Sequence, residues 1–359
     1  MNPLHAHINA IGTAVPTHDV HHAFIAWAEQ QLPGEREKSV FRRMADRAAI
    51  KHRWSVLPPT PEGGSPVAIG GFYGTDGSPT TAARMKIYAQ AAPPLALAAI
   101  DSLSRKTNIH GTTHLVVASC TGFVAPGIDQ IIAAELGLGL DVERTLVGFM
   151  GCYAAVAALR LAHHIVRSEP SARVLVVTVE LSTLHLQFSR EIEPLLAMLQ
   201  FGDGAAAALV TGDPAGFAIS DPFAASLADT THLIRWTVGD SGFAMHLSGE
   251  VPGQIGRALA EGEELRARLL GGSSPESVDA WAVHAGGRSI LDSVENALGL
   301  EPDALNESRE VLARFGNMSS STLMFVLADL LGHSRPRSGI ALAFGPGLAA
   351  EGFRFQSAP

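Results

Sequence analysis

The stretch "GCYAAVAAL" at residues 151–159 sets Cys152, one of two cysteines in the chain, between a glycine and a run of alanines. Taken locally it has two readings. A free cysteine is among the most buried residue types and often serves as a small hydrophobe in a crowded core. The same residue at the first turn of a buried helix is a nucleophile, because helix N–H groups favour its thiolate. A second stretch, "GNMSSSTLM" at 316–324, aligns with the first at a shift of 165 residues. Two further pairs keep the same order. "GIDQIIAAELGL" (127–138) meets "SILDSVENALGL" (289–300) at a shift of 162, and "VLVVTVELS" (174–182) meets "GIALAFGPG" (339–347) at 165. Three weak matches in one order at a nearly constant offset favour a duplicated unit. Cys152 and Asn317 then start equivalent central helices, one per half, and are expected to approach each other across a pseudo-twofold axis. Backbone N–H groups at both helix starts would face a shared cavity.

The rest of the chain reads as alternating strands and helices. "TTHLVVASC" (112–120) and "RVLVVTVE" (173–180) are short, β-branched and apolar, as buried strands are. Residues 128–136 and 152–167 read as helices, the second apolar nearly all round and therefore buried. This alternation predicts an α/β layered fold. Residues 56–82, rich in Pro and Gly, read as a long loop, and "TGDPAGFAISDP" (211–222) as a seam. The expected division is 1–212 for the half carrying Cys152 and 213–359 for the other.

A chain of 359 residues has ample core for two such halves. At 47% apolar and 17% charged it suits a compact globule. A net charge of −9 without a Lys/Arg block argues against nucleic acid or an anionic membrane as partner. The most apolar runs are too short or too polar at their edges to span a bilayer, so no integral membrane association is expected. The first residues show no basic segment followed by an apolar one, and two cysteines make no disulfide framework. A cytoplasmic location is the expectation. Fifteen histidines are scattered, and His163–His164, adjacent on a predicted helix, point about 100° apart and chelate poorly. No metal is expected.

Cysteine chemistry needs partners. In "AWAVHAGGRSIL" an apolar strand runs into His284 and a Gly-Gly step follows, which keeps the space above the ring clear. Strand C-terminal ends are the usual place for active-site groups in α/β sheets. A histidine satisfied by backbone at a strand end is the common alternative. Asn317 offers an amide N–H to a developing oxyanion without competing for the proton; an ordinary helix cap competes for the same stretch. Asp203 in "QFGDGAAAALV" sits between glycines and reads as a turn residue.

These motifs together carry a family resemblance. "ASCTGFVAPGID", "GFMGCYAAVAALRLA", "LQFGDGAAAALV", "WAVHAGGRSILD", "FGNMSSSTLMFVL" and "FGPGL" occur in the order found in chalcone-synthase-like type III polyketide synthases. The resemblance runs from about residue 5 to 355. It implies a duplicated thiolase fold of αβαβα layers with two pseudo-twofold-related halves, and an obligate homodimer. It implies that Cys152 accepts the acyl group, that His284 keeps it as thiolate, and that His284 and Asn317 polarise the malonyl thioester carbonyl. Phe201 resembles the aromatic gatekeeper between a CoA tunnel and the reaction cavity. Arg47 and Lys51 fall where the family places cations against CoA phosphates. The substrates implied are an acyl-CoA starter and malonyl-CoA, with neither a metal nor an organic cofactor.

Departures from the plant pattern bear on substrate. Met245 stands where chalcone synthases have a second gatekeeping phenylalanine, and a flexible thioether admits a longer starter. Cys120–Thr121 replaces a threonine-serine pair, as in bacterial members, and Ala125 replaces a methionine that crosses the plant dimer interface. Ser182, His185, Trp236 and Ser319 also fall at cavity-lining positions. "VELSTLHLQ" with "WTVGDSGFAMHLSGEVP" looks most like bacterial alkylresorcinol and alkylpyrone synthases, which take fatty acyl-CoA starters. Two rivals stay open: a fatty-acid-initiating ketosynthase that condenses once with malonyl-acyl carrier protein, and a non-catalytic thiolase-fold scaffold.

Overall fold

Strand Val174–Leu181 is buried at every position, as a continuous β-branched run requires when both sheet faces are covered. Successive residues divide between two cores. Leu175, Val177 and Val179 join one cluster, and Val174 and Val176 join another. Leu115 and Val117 part from Val116 and Ala118 in the same way, as do Ile340 and Leu342 from Ala341 and Ala343. This is the period-two alternation of a pleated strand read at two apolar faces.

The computed structural model describes residues 5–74, 78–333 and 335–358. Nine of its strands form one sheet, in the order Ala280–Val283, Gly339–Gly345, Ala349–Ser357, Phe217–Ser226, Ala6–Ala14, Asp203–Thr211, Val174–Leu181, His114–Ser119, Glu143–Gly148. The order mirrors itself about the junction of Ala6–Ala14 with Phe217–Ser226. On each side of it two antiparallel pairings are followed by a parallel one. The first half adds one further parallel strand, Glu143–Gly148. Among the described residues the second half has no counterpart to it. All three internal sequence matches fall on equivalent elements: helices Ile128–Glu135 and Arg288–Leu298, the two central helices, and strands Val174–Leu181 and Gly339–Gly345.

Helices Ala154–Ser168 and Ser320–His333 lie against each other and against strands of both halves. They form the middle layer of the duplicated thiolase arrangement. Small side chains make that layer possible. Ala118, Ala206, Ala208, Ala282, Ala341 and Ala343 of the strands face a core shared with Ala154, Ala155, Ala158 and Ala162 of the first helix. Helix Thr81–Ser104 covers the outer face of the first half. The long loop read over 56–82 ends sooner than expected, because the Thr80 side chain accepts from Ala83 N (3.2 Å) and caps that helix. Residues 75–77 of that loop, and residues 1–4 of the N-terminal stretch, lie outside the described residues.

The tightest outer contact is at Gly12. A Cβ there would overlap the backbone of Ala99 and Leu103 in helix Thr81–Ser104. Neither strand nor helix can yield locally, since both are hydrogen-bonded along their length. Gly12→Ala is therefore expected to lower stability by about 1–3 kcal/mol, the usual range for overpacking. Urea denaturation of the two proteins checks it.

Candidate active site

Cys152 lies in the 3₁₀ turn Gly151–Tyr153, and the α-helix begins only at Ala154. The expected helix start at residue 152 is thus two residues early. The reason is Gly151, whose φ of +75° is left-handed and breaks regular helix before it can begin. Space forbids any other residue at this position. A Cβ on Gly151 would lie 2.5 Å from Pro346 Cδ and 2.9 Å from Trp236 Cη2. Pro346 belongs to the "FGPGL" motif, so that loop closes directly over the cysteine turn.

The residues that sequence paired with Cys152 come from separate elements. Asn317 precedes helix Ser320–His333 and is held from both sides of its main chain: its N–H donates to Gln200 O (2.7 Å), and its carbonyl accepts from Gly202 N (3.0 Å). Its Oδ1 accepts from Ser319 N (2.8 Å), and its Nδ2 donates to Gly286 O (3.2 Å). The competing helix-cap role is thus partly real, since Oδ1 ties the turn while Nδ2 remains a donor. Ser319 Oγ lies 3.9 Å from Cys152 Sγ. His284 caps strand Ala280–Val283, its N–H donating to Leu342 O (2.8 Å). It is buried, and neither ring nitrogen has a hydrogen-bond partner.

Removal from water dominates the electrostatics. Burial pushes the Cys152 thiol up to about 12, Glu180 adds to the rise, and hydrogen bonds from Ser319 and Asn317 oppose it. Burial alone pushes His284 down to about 3. Each shift penalises an isolated charge. Both groups are therefore held neutral at ordinary pH.

Beside the cysteine, behind Ser319, opens a mostly apolar cavity. Cys120, Thr121, Ser182, His185, Phe201, Trp236, Met245 and Ser319 all line it, while Cys152, His284 and Asn317 stand behind that wall. Trp236 and Met245 are cross-strand partners on one hairpin. His185 stacks on Phe243 at 4.1 Å. Its Nδ1 accepts from Phe243 N (3.1 Å) and its Nε2–H donates to Thr121 O (2.6 Å), a pattern that only the neutral Nε2–H tautomer satisfies. Arg47 and Lys51 are exposed and lie outside the cavity wall.

Three polar residues escaped sequence reasoning. Glu180 is fully buried, accepting from Cys120 N (3.1 Å), Cys120 Sγ (2.9 Å), Thr121 Oγ1 (2.9 Å) and Ser320 Oγ. Burial raises its pKa against those hydrogen bonds. Cys120 Sγ in turn lies 3.3 Å from Ser319 Oγ, so a polar chain leads from Glu180 to Cys152. Arg53 is the cation in the cavity wall: Nη1 donates to Phe201 O (2.8 Å) and Met198 O (3.1 Å), Nε donates to His21 Nδ1 (3.0 Å), and burial lowers its pKa to about 9. Gln200 is the last residue of helix Ile192–Gln200, and its buried Oε1 has no hydrogen-bond partner. Asp203, read as structural, accepts from Val56 N (2.9 Å), Thr183 N (2.8 Å) and Thr183 Oγ1 (2.7 Å), tying the long loop to the cavity wall.

Residues 2–214 match the N-terminal domain of chalcone and stilbene synthases, and residues 222–359 match their C-terminal domain. The chain belongs to the chalcone and stilbene synthase family. Among its relatives is alpha-pyrone synthesis polyketide synthase-like Pks18 of Mycobacterium tuberculosis, 35% identical over 254 residues. That match takes in 67% of this chain and 64% of Pks18, so it spans a little under two thirds of the relative's length. Type III polyketide synthase A of Arabidopsis thaliana is 33% identical over 304 residues, 79% of this chain and 76% of that protein. The crystal structure of PKS-I from the brown alga Ectocarpus siliculosus superposes with a TM-score of 0.85 at 28% identity, covering 99% of each chain.

Buried histidines make the fold sensitive to acid. His21, His163 and His185 are lowered to about 4 and His284 to about 3, with burial the leading cause in each. In the unfolded chain they titrate near 6.5. Their contribution is complete above about pH 6.5 and is lost as pH falls through about 4, because the unfolded chain takes up protons first. Asp203, raised to about 6, Glu180 and Glu351 act in the opposite sense, three raised carboxyls against five lowered histidines once His7 is counted. The urea midpoint is expected to fall between pH 7 and pH 4.5, measured at constant ionic strength.

Proposed function

We propose that the protein is a type III polyketide synthase that extends a fatty acyl-CoA starter with malonyl-CoA and releases a cyclised pyrone or resorcinol. The observation that carries this reading is one arrangement: Cys152 touched by Asn317 and Ser319, with an apolar cavity directly behind Ser319. Proton transfer from Cys152 to His284 yields the nucleophilic thiolate. It attacks the starter thioester, and the CoA sulfur leaves as a thiol by taking the proton from His284. Malonyl-CoA then loses CO2, and His284 and Asn317 N–H groups hold the negative oxygen of the resulting enolate. The enolate carbon attacks the Cys152 thioester, forming a carbon–carbon bond and releasing the Cys152 thiolate. Each donor meets a charge that exists only transiently, which is what selective stabilisation requires.

The cavity supports the starter class. Phe24, Leu57, Val67, Leu186, Met198, Phe243 and Met245 give it walls suited to an alkyl chain. Pks18 is named for alpha-pyrone synthesis, which favours a pyrone among the closures. Arg47 and Lys51 are assigned to the CoA phosphates as exposed cations. No metal or organic cofactor enters the scheme.

The working unit is read as a homodimer in the cytoplasm. Strand Glu143–Gly148 is an edge strand with an exposed face, and Phe123, Leu146 and Phe149 are each about half exposed beside it. An open apolar edge of this kind calls for a partner. Among the described residues no helix is long and apolar enough to cross a membrane.

The purified protein with a panel of acyl-CoA starters and malonyl-CoA, and no carrier protein, is expected to give pyrone or resorcinol masses. Cys152→Ala should lower turnover by about three orders of magnitude or more. Product that appears only with malonyl-acyl carrier protein, after a single extension, would assign the chain to the ketosynthase reading instead.

A further inference from the structure

Around the Gly286–Gly287 step three buried polar atoms have no hydrogen-bond partner: both ring nitrogens of His284, and Oε1 of Gln200. Proton transfer and enolate binding occupy those of His284. Nothing in that chemistry uses the Gln200 oxygen, and an orphaned buried acceptor is rare enough in a folded protein to need a reason. Gln200 ends helix Ile192–Gln200 and immediately precedes Phe201. Its main-chain oxygen accepts from Asn317 N, and its Nε2 donates to Leu196 O (3.4 Å), which leaves Oε1 as the unpaired atom.

Two glycines define what that oxygen faces. A Cβ on Gly287 would lie 3.3 Å from Gln200 Oε1, and one on Gly286 would lie 3.5 Å from His284 Nε2. Gln200 and His284 therefore flank the same Gly286–Gly287 step. Arg288 comes next, and its Nη1 donates to the main-chain oxygen of Arg47 (3.4 Å). The step thus runs from an exposed pair of cations to the catalytic histidine. A thioester reaching from those cations along this step toward Cys152 would meet Oε1 across Gly287.

We infer that Gln200 is a specificity-determining residue that accepts a hydrogen bond from the carrier-arm amide N–H nearest the thioester sulfur. The inference rests on the condensing reading above. A glutamine oxygen only accepts, so the complementary ligand group is a donor, and the amide of a pantetheine-type arm supplies one. A site built around such an acceptor rejects analogues that leave it unpaired.

Octanoyl thioesters of N-acetylcysteamine and of 2-mercaptoethyl acetate differ only by N–H against O at that position. Their second-order rates of Cys152 acylation, read by intact-protein and peptide mass spectrometry, give a direct ratio. The wild type is expected to favour the amide by about tenfold, and Gln200→Leu and Gln200→Met to bring the ratio to about one. A wild-type ratio of one, or a ratio unchanged in the variants, overturns the inference while acylation itself leaves the condensing reading standing. A role in stability or through His284 would slow both thioesters together and leave the ratio unchanged, which also overturns it. Failure of both thioesters and of octanoyl-CoA to acylate Cys152 overturns the condensing reading and this inference with it.

Discussion

Two helix starts approach closely enough to share one site, and that contact sets the terms for the rest of the molecule. It demands small residues throughout the middle layer, which is why alanines line both the Ala154–Ser168 helix and the strand faces around it. It demands glycine at 151, where a left-handed turn meets Pro346 and Trp236 at contact distance. The duplicated sheet follows from the same need, since each central helix must be covered from both sides to bury an almost wholly apolar surface.

Close packing also removes water from the reacting groups. Burial makes both Cys152 and His284 resist charging. Glu180 extends the same logic. Its buried carboxylate is surrounded by the N–H and S–H of Cys120 and by two hydroxyls, and it raises both nearby thiols. Desolvation here is balanced by a few aligned donors, and Asn317 is fixed by four hydrogen bonds of its own.

Much of this was legible in the chain. The repeat at a shift near 165 residues located both central helices, and the motifs named eight wall positions that the structure gathers around one cavity. What escaped was polar residues whose importance lies in where they are buried. Arg53 looks like any cation in "IKHRWS", yet its guanidinium is held inside by Met198 and Phe201 carbonyls and stacks on Phe24 at 4.6 Å. Glu180 reads as the end of a strand, and Gln200 as the end of a helix. A single sequence carries no sign of burial at an isolated polar position, because periodicity reports apolar residues only.

The sequence by itself determined the alternation of layers and the duplication, and it singled out Cys152, His284 and Asn317 as candidates. Those depend on local pattern and on internal repetition, both of which a linear chain displays. Only the tertiary structure decided how the candidates are divided, with eight of them in the cavity wall and Cys152, His284 and Asn317 outside its lining. It also decided which polar groups remain unpaired beside the Gly286–Gly287 step. Those outcomes depend on distances between segments more than 80 residues apart, and on how much water each group loses when they meet.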